Sequence, residues 1–247
     1  MMVSWNPWHG CTKYSEGCLN CYVFRLDKLY GRDSTFKLNQ AFEMPVEKYK
    51  NGRYKYPSYT KFFTCYTSDF FLDDADPYRQ RCWEIMKERY DCQFMIITKR
   101  IDQVAYKLPP DWGSGYPNVE IVCTIENQNQ AMYRLPIYAS LPIVHKALCI
   151  EPLISQVSIE IYDPKSMGIE YIVCGGESGP KEDARPCYED WVRRLYDFSI
   201  KYKIPFCFKQ TGTNFIHSNG FFEVVARSNQ MYRARELKYQ TFDIEDL

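Results

Sequence analysis

Read for its apolar and polar positions, the chain carries six short runs dense in β-branched and aromatic residues, each closing on polar residues or glycine. They are KFFTCYTSD (61–69), QFMIITKR (93–100), VEIVCTIEN (119–127), HKALCIEPL (145–153), EYIVCGGES (170–178) and IPFCFKQTG (204–212). Their apolar character is nearly continuous, the pattern of strands buried on both faces in a parallel sheet covered by helices. MVSW, near the amino terminus, supplies a seventh candidate. Helical spacing appears between them. Over 77–90, Tyr78, Cys82, Ile85, Met86 and Tyr90 fall on one face, with Pro77 suited to a first turn. Over 188–202, Trp191, Val192, Leu195, Ile200 and Tyr202 do the same before Pro205 closes the segment, and 127–140 is a weaker helix interrupted by Pro136.

Strand and helix alternate, which implies an α/β fold with right-handed crossovers, either a doubly wound open sheet or a barrel. Six or seven strands favour a partial (βα) barrel of the TIM-barrel kind, as one domain over 1–247. Residues 34–60 lack periodicity and read as an excursion over the barrel, and 213–247 as a small added strand or helix.

Composition narrows the class. A chain of 247 residues can bury a large core and lies within the size of one α/β barrel. Aromatics reach 17%, with 21 tyrosines, so the chain is globular rather than disordered. The formal net charge of zero carries no global basic excess that would force a nucleic-acid partner. MMVSWNPWHG lacks a basic stretch followed by an apolar one, and no apolar run approaches the roughly 18 residues that span a bilayer, so a cytoplasmic protein without membrane contact is expected. Of 11 cysteines, Cys65, Cys82, Cys92, Cys123, Cys149, Cys174, Cys187 and Cys207 are scattered singly through apolar surroundings, as reduced thiols packed like small hydrophobes would be. Only Cys11, Cys18 and Cys21 cluster.

In parallel α/β folds the functional site lies at the carboxyl ends of the strands. Those ends carry Ser68 and Asp69; Thr98, Lys99 and Arg100; Thr124, Glu126 and Asn127; Glu151; Gly175, Gly176, Glu177 and Ser178; and Lys209 and Gln210. A charged group next to a buried strand must pair or meet a ligand. For one such residue a salt bridge or helix cap explains it equally well; for six strand ends together, a pocket for a polar ligand is the better explanation. Glu177 is the sharpest candidate, because Gly175 and Gly176 would let the backbone approach a ligand while the carboxylate accepts from an amine or hydroxyl.

The cysteines sit in WNPWHGCTKYSEGCLNCY (5–22), with C-x6-C-x2-C spacing on a loop after the first strand. Thiolates suit zinc or an iron–sulfur cluster. Zinc needs a fourth ligand, for which His9 is available in a Cys3His site. A four-iron cluster held by three thiolates leaves one iron open to a small molecule.

These residues resemble the radical SAM superfamily, in which three cysteines after the first strand of a partial (βα) barrel hold a [4Fe-4S] cluster whose open iron chelates S-adenosylmethionine. This chain keeps the final C-x2-C of the usual C-x3-C-x2-C and lengthens the first interval. Asn20 stands where the family often has an aromatic residue, and Tyr22 follows the last cysteine. In order along the chain, the cysteine loop, TSDFF, ITKR, TIENQ, IEPL, CGGESGP with ARP, and FKQTG are similar to a phage- and prophage-associated three-Cys-motif family of unassigned function, over about 5–213. The resemblance implies Cys11, Cys18 and Cys21 as cluster ligands. It also implies Glu126 and Asn127 on the ribose hydroxyls of S-adenosylmethionine, and Ser68 and Asp69 on its amine. In the superfamily a GGE motif follows the second strand, whereas here it follows the sixth candidate. Glu177 and Ser178 are therefore expected to face substrate or adenosine, and Gly175 and Gly176 to line the cofactor. Lys99, Arg100 and Lys209 would neutralise a carboxylate or phosphate, with Glu151 and Gln210 completing the reactive rim. An electron donor such as flavodoxin or ferredoxin would be a partner.

One stretch hints at a polymer. EKYKNGRYKYPSYTK (47–61) interleaves Lys48, Lys50, Arg53, Lys55 and Lys61 with Tyr49, Tyr54, Tyr56 and Tyr59, a mixture able to neutralise phosphates and stack on bases, although a solvated surface loop accounts for it as well. Two functions are carried forward. One, implied by the resemblance, is a radical enzyme acting on a nucleotide or nucleic acid, with a protein or small-molecule substrate left open; the other is a non-catalytic zinc module ordered by His9 and the three cysteines.

Overall fold

The computed structural model describes residues 1–246. Its main sheet takes its strands in the order in which the chain makes them: β1 (Met2–Trp5), β2 (Lys61–Thr64), β3 (Gln93–Thr98), β4 (Val119–Thr124), β5 (His145–Ile150), β6 (Ile169–Gly175) and β7 (Phe206–Gln210). The sheet is parallel, with Met2 opposite Lys61, Lys61 opposite Gln93 and Phe206 opposite Ile172. All seven expected strands are present. The order contains no reversal, so the topological switch point of a doubly wound sheet is absent and every crossover advances the same way. Among the described residues six α-helices accompany the sheet: α1 (Tyr22–Leu29), α2 (Asp76–Glu88), α3 (Ile101–Lys107), α4 (Gln128–Ser140), α5 (Glu189–Tyr202) and α6 (Gln230–Glu236). One helix follows each of β1 to β4, none follows β5, α5 follows β6, and α6 comes after β7. None of the helices is long and apolar enough to cross a membrane.

Continuous burial holds for β4, β5 and β6. β2 and β3 differ from expectation by alternating, with Phe62 and Thr64, or Phe94, Ile96 and Thr98, buried and the residues between them half-exposed or exposed. Those two strands bury one face, the usual reason for period-two burial.

The helix faces also differ in detail from the sequence reading. In α2 the buried residues are Arg79, Cys82, Trp83, Ile85 and Met86, whereas Tyr78 and Tyr90 are exposed. In α5 they are Val192, Leu195, Phe198 and Ser199, whereas Ile200 is exposed. Long amphipathic tyrosines at a stripe's edge keep their rings wet, and the helical stripe shifts by one residue to the larger apolar groups. Helix α5 ends where Lys203 takes a left-handed conformation at φ 56°. Pro136 lies inside α4, which continues through it.

The chain groups into two compact units: Met1–Tyr14, Val23–Val122 and Leu141–Lys146 in the first, and Ser15–Tyr22, Cys123–Ser140 and the chain from Ala147 onward in the second. The first is built on aromatic residues. Phe62 stacks on Phe94 with centroids 5.1 Å apart, Trp5 meets Phe94 edge-on at 5.6 Å, and Trp83 bridges Phe70 at 4.7 Å and Trp112 at 5.1 Å. The second buries Ile150, Ile172, Cys174, Phe206 and Phe208 from its strands, together with Leu195 and Phe198 from α5. The expected carboxyl-terminal addition is a small sheet, in which Asn214–Ile216 pairs antiparallel with Phe222–Val224 and parallel with Cys187–Tyr188, followed by α6.

Phe62 is fully buried within its aromatic cluster. Phe62→Ala should cost about 3–5 kcal/mol of folding free energy, the usual range for a buried aromatic truncated to alanine. Chemical denaturation checks this, and a midpoint within error of wild type would contradict it.

Candidate functional site: a cysteine loop tied to strand ends

None of the 11 cysteines is in a disulfide, and burial divides them as expected. Eight are buried. Desolvation pushes the thiols of Cys65, Cys82 and Cys174 well up, Cys187 up to about 12 and Cys207 up to about 11, so these groups stay neutral and behave as hydrophobes. Cys11, Cys18 and Cys21 are only half-buried.

In the first unit, Cys11 is held by its backbone. Its N–H donates to the Ser34 carbonyl at 3.2 Å. The preceding Gly10 donates to the Thr67 carbonyl at 3.2 Å and accepts from the Ser68 hydroxyl. Gly10 has φ +91°, and a Cβ there would lie 2.1 Å from the Thr35 carbonyl oxygen, so only glycine fits this close approach. Asp69, after β2, accepts from the Thr98 hydroxyl at 2.9 and 3.0 Å, the Phe71 N–H at 2.9 Å and the Lys99 N–H at 3.2 Å, with Arg100 Nη1 at 3.9 Å. Arg100 in turn reaches the cysteine loop. Its Nη2 donates to the Thr12 carbonyl at 3.0 Å and hydroxyl at 2.7 Å, and its guanidinium lies 4.7 Å from the centre of the Tyr14 ring.

The second unit repeats the arrangement. Cys18 closes a 3-10 turn, Glu16–Cys18, by donating to the Ser15 carbonyl at 2.9 Å, and Cys21 donates to the Cys18 carbonyl at 3.3 Å just before α1. Glu126, after β4, is fully buried, as is its partner Arg134, which binds it at 2.7 Å and the Thr124 carbonyl at 2.6 Å. The other Glu126 oxygen accepts from the Ser15 hydroxyl and, at 3.4 Å, from the Gly17 N–H. A Cβ on Gly17 would sit 3.0 Å from two carbons of that side chain. Asn127 donates to the Glu16 carboxylate at 2.7 Å and accepts the Gln130 N–H at 2.9 Å.

After β6, Glu177 accepts from the Arg185 main chain and Nε, both at 2.9 Å, from Arg185 Nη2, and from the Asn20 amide at 3.0 Å. Burial raises the Glu177 pKa, and the hydrogen bonds from Arg185 and Asn20 outweigh it, holding the carboxyl below its usual 4.5.

A second cluster in this unit joins Glu151, Lys209 and Gln210. Lys209 binds one Glu151 oxygen at 3.0 Å and the Gln210 amide binds the other at 2.6 Å. Adjacent strand residues ordinarily point to opposite faces. Here Phe208 pairs with Cys174 and Gln210 with Gly175, so Lys209 is the extra residue of a bulge that turns both side chains onto one carboxylate. Ser178 Oγ lies 2.6 Å from Gln210 Oε1 and 2.5 Å from Gln230 Oε1. The Tyr22 hydroxyl is pushed up to about 12 by burial, with Cys21 and Glu151 adding to the rise and Lys209 opposing it.

The strand-end residues thus occur in hydrogen-bonded sets, most of them gripping the cysteine loop. The room left by Gly175 and Gly176 is filled by the protein itself. A Cβ on Gly175 would lie 3.0 Å from the Glu151 carboxyl carbon, and one on Gly176 would lie 2.1 Å from the Thr211 carbonyl oxygen.

Sequence reasoning missed Thr12, Asn20, Arg134, Arg185 and Gln230. For Arg134 a signal existed, a charge on the same α4 face as the buried Ala131, Leu135 and Tyr138. Among the described residues no three His, Cys, Asp or Glu side chains stand as a metal-holding group. The donor types of Cys11, Cys18 and Cys21 suit zinc or an iron–sulfur cluster.

A chain-ordered parallel sheet with polar strand ends bound to a reduced cysteine loop defines a βα-repeat α/β protein. Within that class the chain belongs to the family described as Protein of unknown function (DUF5131), whose model matches residues 1–244. No curated protein and no solved structure matches it.

The lowered Glu177 carboxyl fixes the sign of a pH effect. A carboxyl whose folded pKa lies below its ordinary 4.5 contributes stability that is present above that value and lost as pH falls through the folded pKa. The difference in Tm between wild type and Glu177→Gln should therefore be constant between about pH 7 and about pH 5 and shrink steadily toward about pH 3. Thermal melts across that range check this, and a pH-independent difference would contradict it.

Proposed function

We propose that this chain is a radical-SAM-like enzyme built on a partial (βα) barrel, with Cys11, Cys18 and Cys21 as the ligands of a [4Fe-4S] cluster. The carrying observation is the selective treatment of these cysteines. Eight thiols are buried, while these three are half-buried on a loop whose intervening Thr12, Ser15, Glu16, Gly17 and Asn20 are hydrogen-bonded to strand-end or nearby side chains. A cluster so held supplies one-electron reduction of S-adenosylmethionine, with the electron coming from a donor such as flavodoxin or ferredoxin.

The chain's own residues divide the remaining work. Asp69, Glu126 and Glu177 are heavily engaged by protein donors and order the loop; contact of Asp69, Glu126 or Asn127 with S-adenosylmethionine requires exchange of those bonds. Glu151 and Lys209 form the most accessible charged pair among the strand ends, at 19% and 36% side-chain exposure against none for Glu126 and Arg134, and are assigned to polar groups of cofactor or substrate. A nucleotide or nucleic acid remains the proposed substrate. Tyr49 and Tyr59 are exposed, as are Lys50 and Arg53, whereas Tyr54 is enclosed by Lys48 and Arg89 and bonded to Glu88.

One observation favours the zinc reading. His9 Nε2 lies 3.0 and 3.1 Å from the two oxygens of buried Asp27, the carboxylate–imidazole pairing that orients metal-binding histidines.

Anaerobic purification with iron and sulfide analysis and electron paramagnetic resonance distinguishes the two. The expected result is about four irons per chain, a signal perturbed by S-adenosylmethionine, and loss of the cluster in Cys11→Ala, Cys18→Ala or Cys21→Ala. Full iron loading of the triple variant would overturn the proposal. Zinc retained in wild type and lost in His9→Ala, without iron uptake, would establish the second reading.

A further inference from the structure

The segment bearing the GGE motif continues past Glu177 and folds back on it. Arg185 places three donors on the Glu177 carboxylate, and its remaining arm, Nη1, donates to the Glu16 carbonyl at 2.9 Å. The Asn20 amide bonds to Glu177 at 3.0 Å and to the Asp183 carbonyl at 2.7 Å. Both ends of the stretch 16–20, which contains Cys18 and stops one residue short of Cys21, are therefore held by the 177–185 turn. That turn has a firm base. Thr213 donates to the Glu177 carbonyl at 2.9 Å and accepts from Gly179 at 3.0 Å, and Asn214 donates to the Lys181 and Ala184 carbonyls at 2.8 and 2.6 Å.

At Glu177 three donors, the Arg185 N–H and Nε and the Asn20 amide, converge on Oε2, and Arg185 Nη2 takes Oε1. A one-turn 3-10 helix such as Glu16–Cys18 sustains little by itself, so its geometry follows from what grips it.

We propose that Asn20, Glu177 and Arg185 are positioning residues that form a clasp setting where the Cys18 and Cys21 thiols stand. The clasp does not depend on which metal the cysteines hold; its consequence for ligation rests on the cluster assignment above.

The test uses the full chain and the rate at which iodoacetamide alkylates each cysteine, read by peptide mass spectrometry under native conditions. Asn20→Asp sets a second carboxylate against Glu177. Cys18 and Cys21 should then react about fivefold faster or more, the coupling expected of residues in contact, while Cys11 changes by less than about twofold. Arg185→Ala, which removes two of the four donors on Glu177 and the bond to Glu16, should show the same selectivity. A general loosening of the fold would instead speed Cys11 as well. If Asn20→Asp fails to fold, Asn20→Ala, which adds no charge, should show the same selectivity at smaller size.

Unchanged rates at Cys18 and Cys21 in these variants, or equal acceleration at all three cysteines, would overturn the clasp. Iron uptake measured in parallel separates the two proposals. A selective change in a chain that takes up no iron supports the clasp and removes the cluster, whereas unchanged rates in a fully loaded chain do the reverse.

Discussion

The contact on which the cysteine loop most depends is the buried pair of Glu126 and Arg134. Both side chains are fully buried, 2.7 Å apart, and removing one partner of such a pair typically costs about 3–5 kcal/mol because the other charge is stranded. The pair joins three pieces of chain. Arg134 comes from α4 and also caps the Thr124 carbonyl at the end of β4, while Glu126 turns its second oxygen to Ser15 and Gly17 of the loop. Gly17 has no Cβ because Glu126 already occupies that space. A loop with little apolar content thus acquires fixed geometry from a charge that cannot leave.

Most of the scaffold was legible because its signal is local. Seven apolar runs announced seven strands and helical stripes announced α2 and α5, while α4 continues through the Pro136 that was expected to interrupt it. Two helices were not legible, for a physical reason. Helix α1 buries only Val23 and Asp27, and α3 only Ile101 and Val104, too few positions to set a period. Strand order was also beyond the sequence reading, which left a doubly wound sheet open. The unbroken order observed removes that alternative.

The strand-end residues were legible as polar groups following apolar runs; their partners were not. Asn20 and Glu177 are 157 positions apart, and Arg100 and Thr12 are 88 apart, so no window along the chain contains either pair. Gly175 and Gly176 suggested space for a ligand because a glycine pair permits close approach, but the sequence does not say what approaches. Here it is Glu151, Gln210 and the Thr211 backbone. The bulge at Lys209 was hidden for a similar reason. Strict alternation would separate Lys209 from Gln210, and only the extra residue against β6 brings both to Glu151.

The buried strand-end carboxylates each meet several protein donors. Asp69 meets two main-chain N–H groups and a hydroxyl, Glu126 is shared among a guanidinium, a hydroxyl and an N–H, and Glu177 has four donors. Giving up one of these bonds in a buried setting leaves the abandoned donor with its own desolvation cost, which holds the carboxylates in place. Glu151 and Lys209 differ in exposure. They are partly open to solvent, held in register by a bulge, and grouped with Gln210, Ser178 and the raised Tyr22 hydroxyl in the second unit. Burial thus divides the strand ends: Glu126, Asn127 and Glu177 hold the cysteine loop, while Glu151 and Lys209 stand partly open to solvent.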